Sequence, residues 1–144
     1  HGGLAAALRY RLDAVELRAG VRATLAAPGE LTLSSAVEEG AYRVAMEALN
    51  NSLKHARASE VQVELRTEGH ELVLVVSDNG IGFDDEAMVG SGGLGLSGMQ
   101  ERATRLGGAI SFHSRPHHGT TITLRVDRFA VSDAEPESGG EYER

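Results

Sequence analysis

Leu72-Val-Leu-Val-Val76 is apolar at every position and runs straight into Ser77-Asp-Asn-Gly-Ile-Gly-Phe83. A strand exposes alternate residues to opposite faces, so an unbroken apolar run must be covered on both and belongs at the centre of a sheet. The segment after it is rich in glycine. The chain therefore places a turn of unusual backbone freedom at the end of its most buried strand.

The second constraint is the stretch Tyr42-Arg-Val-Ala-Met-Glu-Ala-Leu-Asn-Asn-Ser-Leu-Lys-His-Ala56. At about 100° per residue, Glu47, Asn51, Lys54 and, one step round, His55 gather on one side of a helix. Ala41, Ala45, Ala48, Leu49, Ser52 and Ala56 fall on the other, small enough for close packing on a sheet. A carboxylate, an amide and an ammonium one turn apart could hold a metal ion and the phosphates it bridges. The same residues would equally serve as the solvated face of an amphipathic helix.

Periodicity marks out the remaining elements. Leu4, Leu8, Leu12, Val15 and Ala19 predict a helix from Leu4 to Ala19, stopped by Gly20. Val21 to Ala27 alternates as a strand and is closed by Pro28-Gly29. Ser34 or Ser35 caps the long helix, and Ser35 with Glu38 matches a capping box. Val61, Val63 and Leu65 alternate with Gln62, Glu64 and Arg66 as a half-buried strand. Leu94 to Leu106 reads as a helix with Leu96, Met99, Ala103 and Leu106 inward, stopped by Gly107-Gly108. Ala109–Ser114 and Thr120–Val126 form a last hairpin across Arg115-Pro-His-His-Gly119. Strands joined by hairpins, with helices between them, imply an α+β two-layer sandwich whose mixed, mostly antiparallel sheet packs on helices.

Residues 84–93 carry three glycines and no apolar period, and are expected to form a mobile loop. From about Ala130 the composition turns to Ser, Asp, Glu, Pro and Gly. The division expected is one domain over 1–129 and a disordered acidic tail over 130–144.

Composition removes several function classes. Cys is absent, so no disulfide framework or thiolate zinc site is available. The net charge of −7, unbroken by any Lys or Arg cluster, argues against a nucleic-acid surface. A polyphosphate ligand would need a cation beside it. No apolar run approaches the ~20 residues of a membrane span.

Three further motifs carry chemistry. Asp78-Asn79-Gly80-Ile81-Gly82 puts a carboxylate at a strand end, able to accept from an exocyclic amine, with glycines that let backbone pass a flat ring. It also reads as a tight turn. Gly93-Leu-Gly-Leu-Ser-Gly98 matches G-x-G-x-x-G in form, but a loop precedes it, and no acidic strand end stands at the dinucleotide spacing beyond it. Its surviving meaning is physical, since glycines at a helix N-terminus leave amides free to meet phosphate. Gly119-Thr120-Thr121 opens the final strand, where a Thr hydroxyl could meet a ligand or serve β propensity alone.

Together and in this order, these motifs resemble the ATP-binding catalytic domain of sensor histidine kinases, in the Bergerat-fold group that includes the gyrase B, Hsp90 and MutL ATPases. Glu47-Ala-Leu-Asn-Asn51-Ser-Leu-Lys54-His55-Ala is similar to the N box, Asp78-Asn-Gly-Ile-Gly82-Phe to the G1 box, Gly93-Leu-Gly95-Leu to the G2 box, and Gly119-Thr120 to the terminal Gly-Thr element. The wording Gly93-Leu-Gly-Leu-Ser-Gly-Met-Gln-Glu-Arg102 and the Lys-His pair resemble the subfamily that signals to NarL-type response regulators. The resemblance covers nearly all of residues 4–127.

The resemblance implies a mixed ATP and Mg²⁺ site. Asn51 would ligate the metal, with Glu47 holding a metal-bound or attacking water. Lys54 and His55 would meet the phosphates. Asp78 would accept from the adenine amine, Thr120 would hold a bridging water, and Gly80 and Gly82 would make room for the ring. Gly93, Leu94, Gly95 and Leu96 would close a lid over the phosphates. Glu47 keeps two roles open, general base as in the hydrolytic relatives, or metal and water ligand with the base on a partner helix.

The same resemblance implies phosphoryl transfer to a histidine on a dimerisation domain, a homodimeric cytoplasmic parent that could be membrane-anchored, and a response regulator as partner. His1 is followed by Gly-Gly rather than a helix, so the acceptor is expected on a segment outside this chain. His70, His113, His117 and His118 match no metal spacing. Two rival readings share the boxes: a serine kinase of the anti-sigma-factor type, and a nucleotide-binding interaction module without activity.

Overall fold

The computed structural model describes residues 3–82 and 95–131. Among these described residues, three helices cover one face of a five-stranded sheet of order β1-β2-β3-β5-β4. The strands are β1 (Arg22–Ala26), β2 (Glu60–Glu68), β3 (Glu71–Asp78), β4 (Ala109–Ser114) and β5 (Thr120–Asp127). Only β1 and β2 run parallel, and every other neighbouring pair is antiparallel. The two-layer α+β sandwich with a mixed, mostly antiparallel sheet is therefore the observed architecture. The predicted loop over 84–93 and the tail beyond residue 131 lie outside the described residues.

Helix α1 (Gly3–Ala19) buries Leu4, Leu8 and Leu12, one residue per turn along a single stripe. It stops at Gly20, whose φ of +66° suits glycine. The Glu16 carboxylate then accepts from the Ala23 amide at 3.1 Å, tying the helix end to the edge strand β1.

Helix α2 (Ser35–Asn50) buries Val37, Gly40, Ala41, Val44, Ala45, Ala48 and Leu49. Its N-cap is Ser34, whose hydroxyl accepts from the Val37 amide at 3.3 Å and donates to the Ala130 carbonyl at 2.6 Å. This corrects the expected capping box. With Ser34 as the cap, the third helical residue is Val37, so Glu38 lies one position too far on to reach back. Helix α3 (Leu96–Arg105) buries Leu96, Met99 and Ala103, with Leu106 buried as its C-cap. Gly40 lets α2 pack close on the end of α3, since a Cβ there would stand 2.6 Å from Leu106 Cδ1.

The core lies between these helices and one sheet face. In register across it stand Val63, Val76 and Ile122, then Leu65, Leu74 and Leu124. The central position of β3 is as predicted, but its second face is covered differently from its first. Val73 faces away from the helices and is nonetheless fully buried. The register sets it between Arg66 and Arg125, whose aliphatic stems are long enough to roof it.

Glu68 joins the two guanidinium groups, 2.8 Å from Arg125 Nη1 and 2.9 Å from Arg66 Nε. The Arg125 hydrogen bond, then that of Arg66, holds the Glu68 carboxyl below its usual range. A lowered folded pKa stabilises the fold above the unfolded carboxylate range, and that gain disappears as pH falls through the lowered value. The difference in Tm between wild type and Glu68→Gln is expected to be present at neutral pH and to close in acid. A difference independent of pH would assign the effect to packing instead.

Candidate functional site

The end of β3, the end of α2 and the start of β5 meet at one corner of the sandwich. Asp78 stands opposite Thr120 in the β3–β5 ladder and opposite Val61 in the β2–β3 ladder. Its carboxylate is held from three sides. Oδ1 accepts from the Gly80 amide at 2.9 Å and the Thr120 amide at 3.2 Å, and Oδ2 accepts from the Ser52 hydroxyl at 2.6 Å. A carboxylate has about four acceptor directions, so one remains, on Oδ2. Such a fixed lone pair is suited to a single incoming N–H.

The turn after Asp78 is locked by its neighbours. The Asn79 side-chain oxygen accepts from the Ser59 and Glu60 amides, each at 3.0 Å, and its NH₂ donates to Ser59 Oγ at 2.9 Å. The Ile81 amide donates to the Ala56 carbonyl at 2.8 Å, and the His117 amide donates to the Ile81 carbonyl. Gly80 and Gly82 are both required by protein contacts. A Cβ on Gly80 would meet the Ala56 backbone and methyl, and one on Gly82 would meet the Arg115 carbonyl. The glycines thus seat the turn between the end of α2 and the β4–β5 hairpin, whatever lies over it.

Helix α2 does not continue unchanged to Ala56. Residues 51–55 form a π turn, with the Ala56 amide donating to the Asn51 carbonyl five residues back at 2.9 Å. This wider turn bears on the residues after Asn51, whose own amide still reaches the Glu47 carbonyl four residues back. Asn51 is 6% exposed, not on a solvated face, while Glu47 is half-buried and Lys54 exposed. The His55 side chain lies outside the description. Ser52, which helical spacing makes a packing residue, is 1% exposed and bonded to Asp78.

Thr120 is buried, and its hydroxyl lies 2.7 Å from Ser114 Oγ across the β4–β5 pair. Sequence reasoning singles out neither Ser52 nor Ser114. Their signal is a hydroxyl on a face otherwise apolar, which demands a polar partner.

Gly95 caps α3 at φ +69°, and a Cβ there would fall within 2.8 Å of Glu47 Cγ. Glu47 thus lies against the first turn of α3, where free amides and the positive dipole end favour anions. A groove of about 460 Å³ opens here, lined by Glu47, Arg43, Met46, Gly95 and Arg102 among others. Gly93 and Leu94 lie outside the described residues.

Among the described residues no cluster of three or more acids or histidines forms a metal cage. Mg²⁺ shared with a nucleotide asks less of the protein, taking one or two oxygen donors and completing its shell with phosphates and water. Glu47 and Asn51, one turn apart on α2 and its π extension, are a donor set of that kind.

The profile described as "Histidine kinase-, DNA gyrase B-, and HSP90-like ATPase" matches residues 36–129. The chain belongs to this family. It is 38% identical over 131 residues to the sensor histidine kinase MctS of Rhizobium johnstonii, covering 89% of this chain and 28% of the relative. It is 40% identical over 90 residues to the oxygen sensor histidine kinase NreB of Staphylococcus carnosus, covering 62% of this chain and 26% of the relative. The chain therefore spans about a quarter of the relatives it matches. The fold is shared with the ATP-binding domain of PrrB from Mycobacterium tuberculosis, with a TM-score of 0.71 at 22% identity, over 88% of this chain and 94% of that one. A blue-light-activated histidine kinase of Erythrobacter litoralis superposes with a TM-score of 0.75 at 22% identity, over 88% of this chain and 42% of that one. Among the described residues no helix is long and apolar enough to cross a membrane.

Proposed function

We propose that this chain is the ATP-binding catalytic domain of a sensor histidine kinase, and that it delivers the γ-phosphoryl group to a histidine on a dimerisation domain outside the chain. The observation that carries the reading is Asp78, a carboxylate at a buried strand end with three donors in place and one acceptor direction left. That direction would take the adenine amine. Thr120 would hold the water beside it. On the far side, Glu47 and Asn51 would hold Mg²⁺, which would supply charge neutralisation of the β- and γ-phosphates. Lys54, His55 and the amides opening α3 from Gly95 and Leu96, together with Gly93 and Leu94, would receive the phosphates.

In this arrangement the chain acts by positioning and charge compensation, as is general for phosphoryl transfer. The bond from the γ-phosphorus to the β–γ bridging oxygen of ATP breaks, that oxygen leaving with ADP, as the bond to the imidazole nitrogen forms. Glu47 orients the reacting end, and the parent is a cytoplasmic-facing homodimer passing the phosphoryl group to a NarL-type response regulator. The similarity to proteins named as sensor histidine kinases favours this over the serine-kinase and inactive-module readings.

The test uses the chain as it stands. ATP and ADP are expected to bind in calorimetric titration, more tightly with Mg²⁺ than with chelator. Incubation with labelled ATP should leave the chain alone unlabelled and should label a dimerisation domain from a related kinase added in trans. Robust acid-labile labelling of this chain by itself, or turnover that labels no added histidine, would overturn the proposal.

A further inference from the structure

We propose that Ser52 is a positioning residue that sets the adenine selectivity of the nucleotide site, acting through Asp78. The inference rests on the nucleotide reading above and adds to it a residue outside the ligand's own contacts.

Ser52 has one hydroxyl proton and two acceptors in reach, Asp78 Oδ2 at 2.6 Å and the Ala48 carbonyl at 3.2 Å. A serine inside a helix ordinarily bonds back to the carbonyl four residues before it. Here the shorter contact goes to a carboxylate, and a charge-assisted bond is the stronger of the two. The proton therefore belongs to Asp78, and Ser52 sits at the start of the π turn with its hydroxyl aimed at β3.

The consequence lies in the count of lone pairs. The Gly80 and Thr120 amides fill Oδ1 and fix one edge of the carboxylate. Without Ser52, Oδ2 keeps two open directions, and the group is free to rock about the edge that Oδ1 pins. With Ser52 in place, one direction is left and it points one way. A single fixed acceptor accepts an amine and opposes a carbonyl oxygen at the same ring position. A loosened one can turn aside from the carbonyl and lets water reach it.

ADP and inosine diphosphate separate this role from a structural one, because they differ at the position Asp78 would read: an amine in the first, a carbonyl in the second. Wild type is expected to favour ADP. In Ser52→Ala, ADP affinity should fall by about three- to tenfold, the worth of one ordinary hydrogen bond, while inosine diphosphate affinity stays level. The ratio of the two thus shrinks by the same factor, and Ser52→Thr should restore it. If Ser52→Ala fails to fold, Ser52→Cys carries the same test with a weak donor of similar volume. An unchanged ratio overturns the proposal, whether both affinities fall together or neither moves. Wild type that binds neither nucleotide overturns the nucleotide reading itself, a result distinct from wild type that discriminates and variants that discriminate equally.

Discussion

Asp78→Asn is expected to weaken ADP and ATP binding by roughly ten- to a hundredfold while leaving the fold almost intact. The two effects separate because the amide can satisfy the protein but not the ligand. Its oxygen can stay in the Oδ1 position and accept from the Gly80 and Thr120 amides. Its NH₂ then stands where Oδ2 was and donates to Ser52 Oγ, which can turn its own proton to the Ala48 carbonyl at 3.2 Å. Every internal hydrogen bond has a replacement. The incoming adenine amine does not, because it meets a donor in place of an acceptor. A hydrogen bond to a charged group contributes ~1.5–3 kcal/mol, which gives the expected range. Calorimetric titration with unchanged affinity would remove Asp78 from the ligand site. A large loss of Tm in the absence of nucleotide would mark it as a structural turn residue.

Asp78→Ala should behave differently from Asp78→Asn. It strands the Gly80 and Thr120 amides, while the Ser52 hydroxyl falls back on the Ala48 carbonyl, so stability and binding should both fall.

How much of this is legible in the sequence depends on the kind of information each feature needs. Alternation reveals β2 and β5, and the unbroken run Leu72–Val76 reveals that β3 is central, because burial patterns are written in side-chain type. The placement of β5 between β3 and β4 is not legible, since strand order is a property of pairing and not of any one segment. The long helix is legible as a helix, but its π turn is not. A shift from a bond four residues back to one five residues back leaves no compositional mark on Asn51-Ser-Leu-Lys-His55, yet it changes how a regular helical face should be read. Asn51 itself precedes the widened bond, its amide still reaching the Glu47 carbonyl, and its burial excludes the solvated-face reading for that residue. The cap stays open between Ser34 and Ser35 because the two are chemically equal, and only the bond from the Val37 amide settles it on Ser34 and removes the Ser35–Glu38 box. The chemistry of the corner is legible as motif, in Glu47, Asn51, Asp78 and Thr120. Its support by Ser52 and Ser114 is not, because a single hydroxyl among apolar neighbours has many partners open to it until the sheet is assembled.

Gly82→Ala is expected to be strongly damaging at this corner, costing roughly 3 kcal/mol and lowering Tm by about 10 °C. Two costs add. Gly82 has φ +71°, a left-handed conformation that disfavours any side chain. The new methyl would also be driven into the Arg115 carbonyl, with the Arg115 carbonyl carbon only 2.7 Å away. That backbone belongs to the β4–β5 hairpin, which the His117 amide pins to Ile81, so relief by movement breaks the contact that seats the Asp78 turn. Nucleotide affinity should therefore fall along with stability, unlike the separation expected for Asp78→Asn. Gly98→Ala is the control from the adjoining helix. No atom lies within 4 Å of its prospective Cβ, and its backbone is that of α3. Replacing a helical glycine by alanine is expected to add roughly 0.5–1 kcal/mol. Thermal melts of the two variants should move in opposite directions from wild type. If Gly82→Ala melts with wild type, the hairpin is not braced against the Asp78 turn at Gly82, and the turn is held by the carboxylate's hydrogen bonds and those of Asn79 and Ile81.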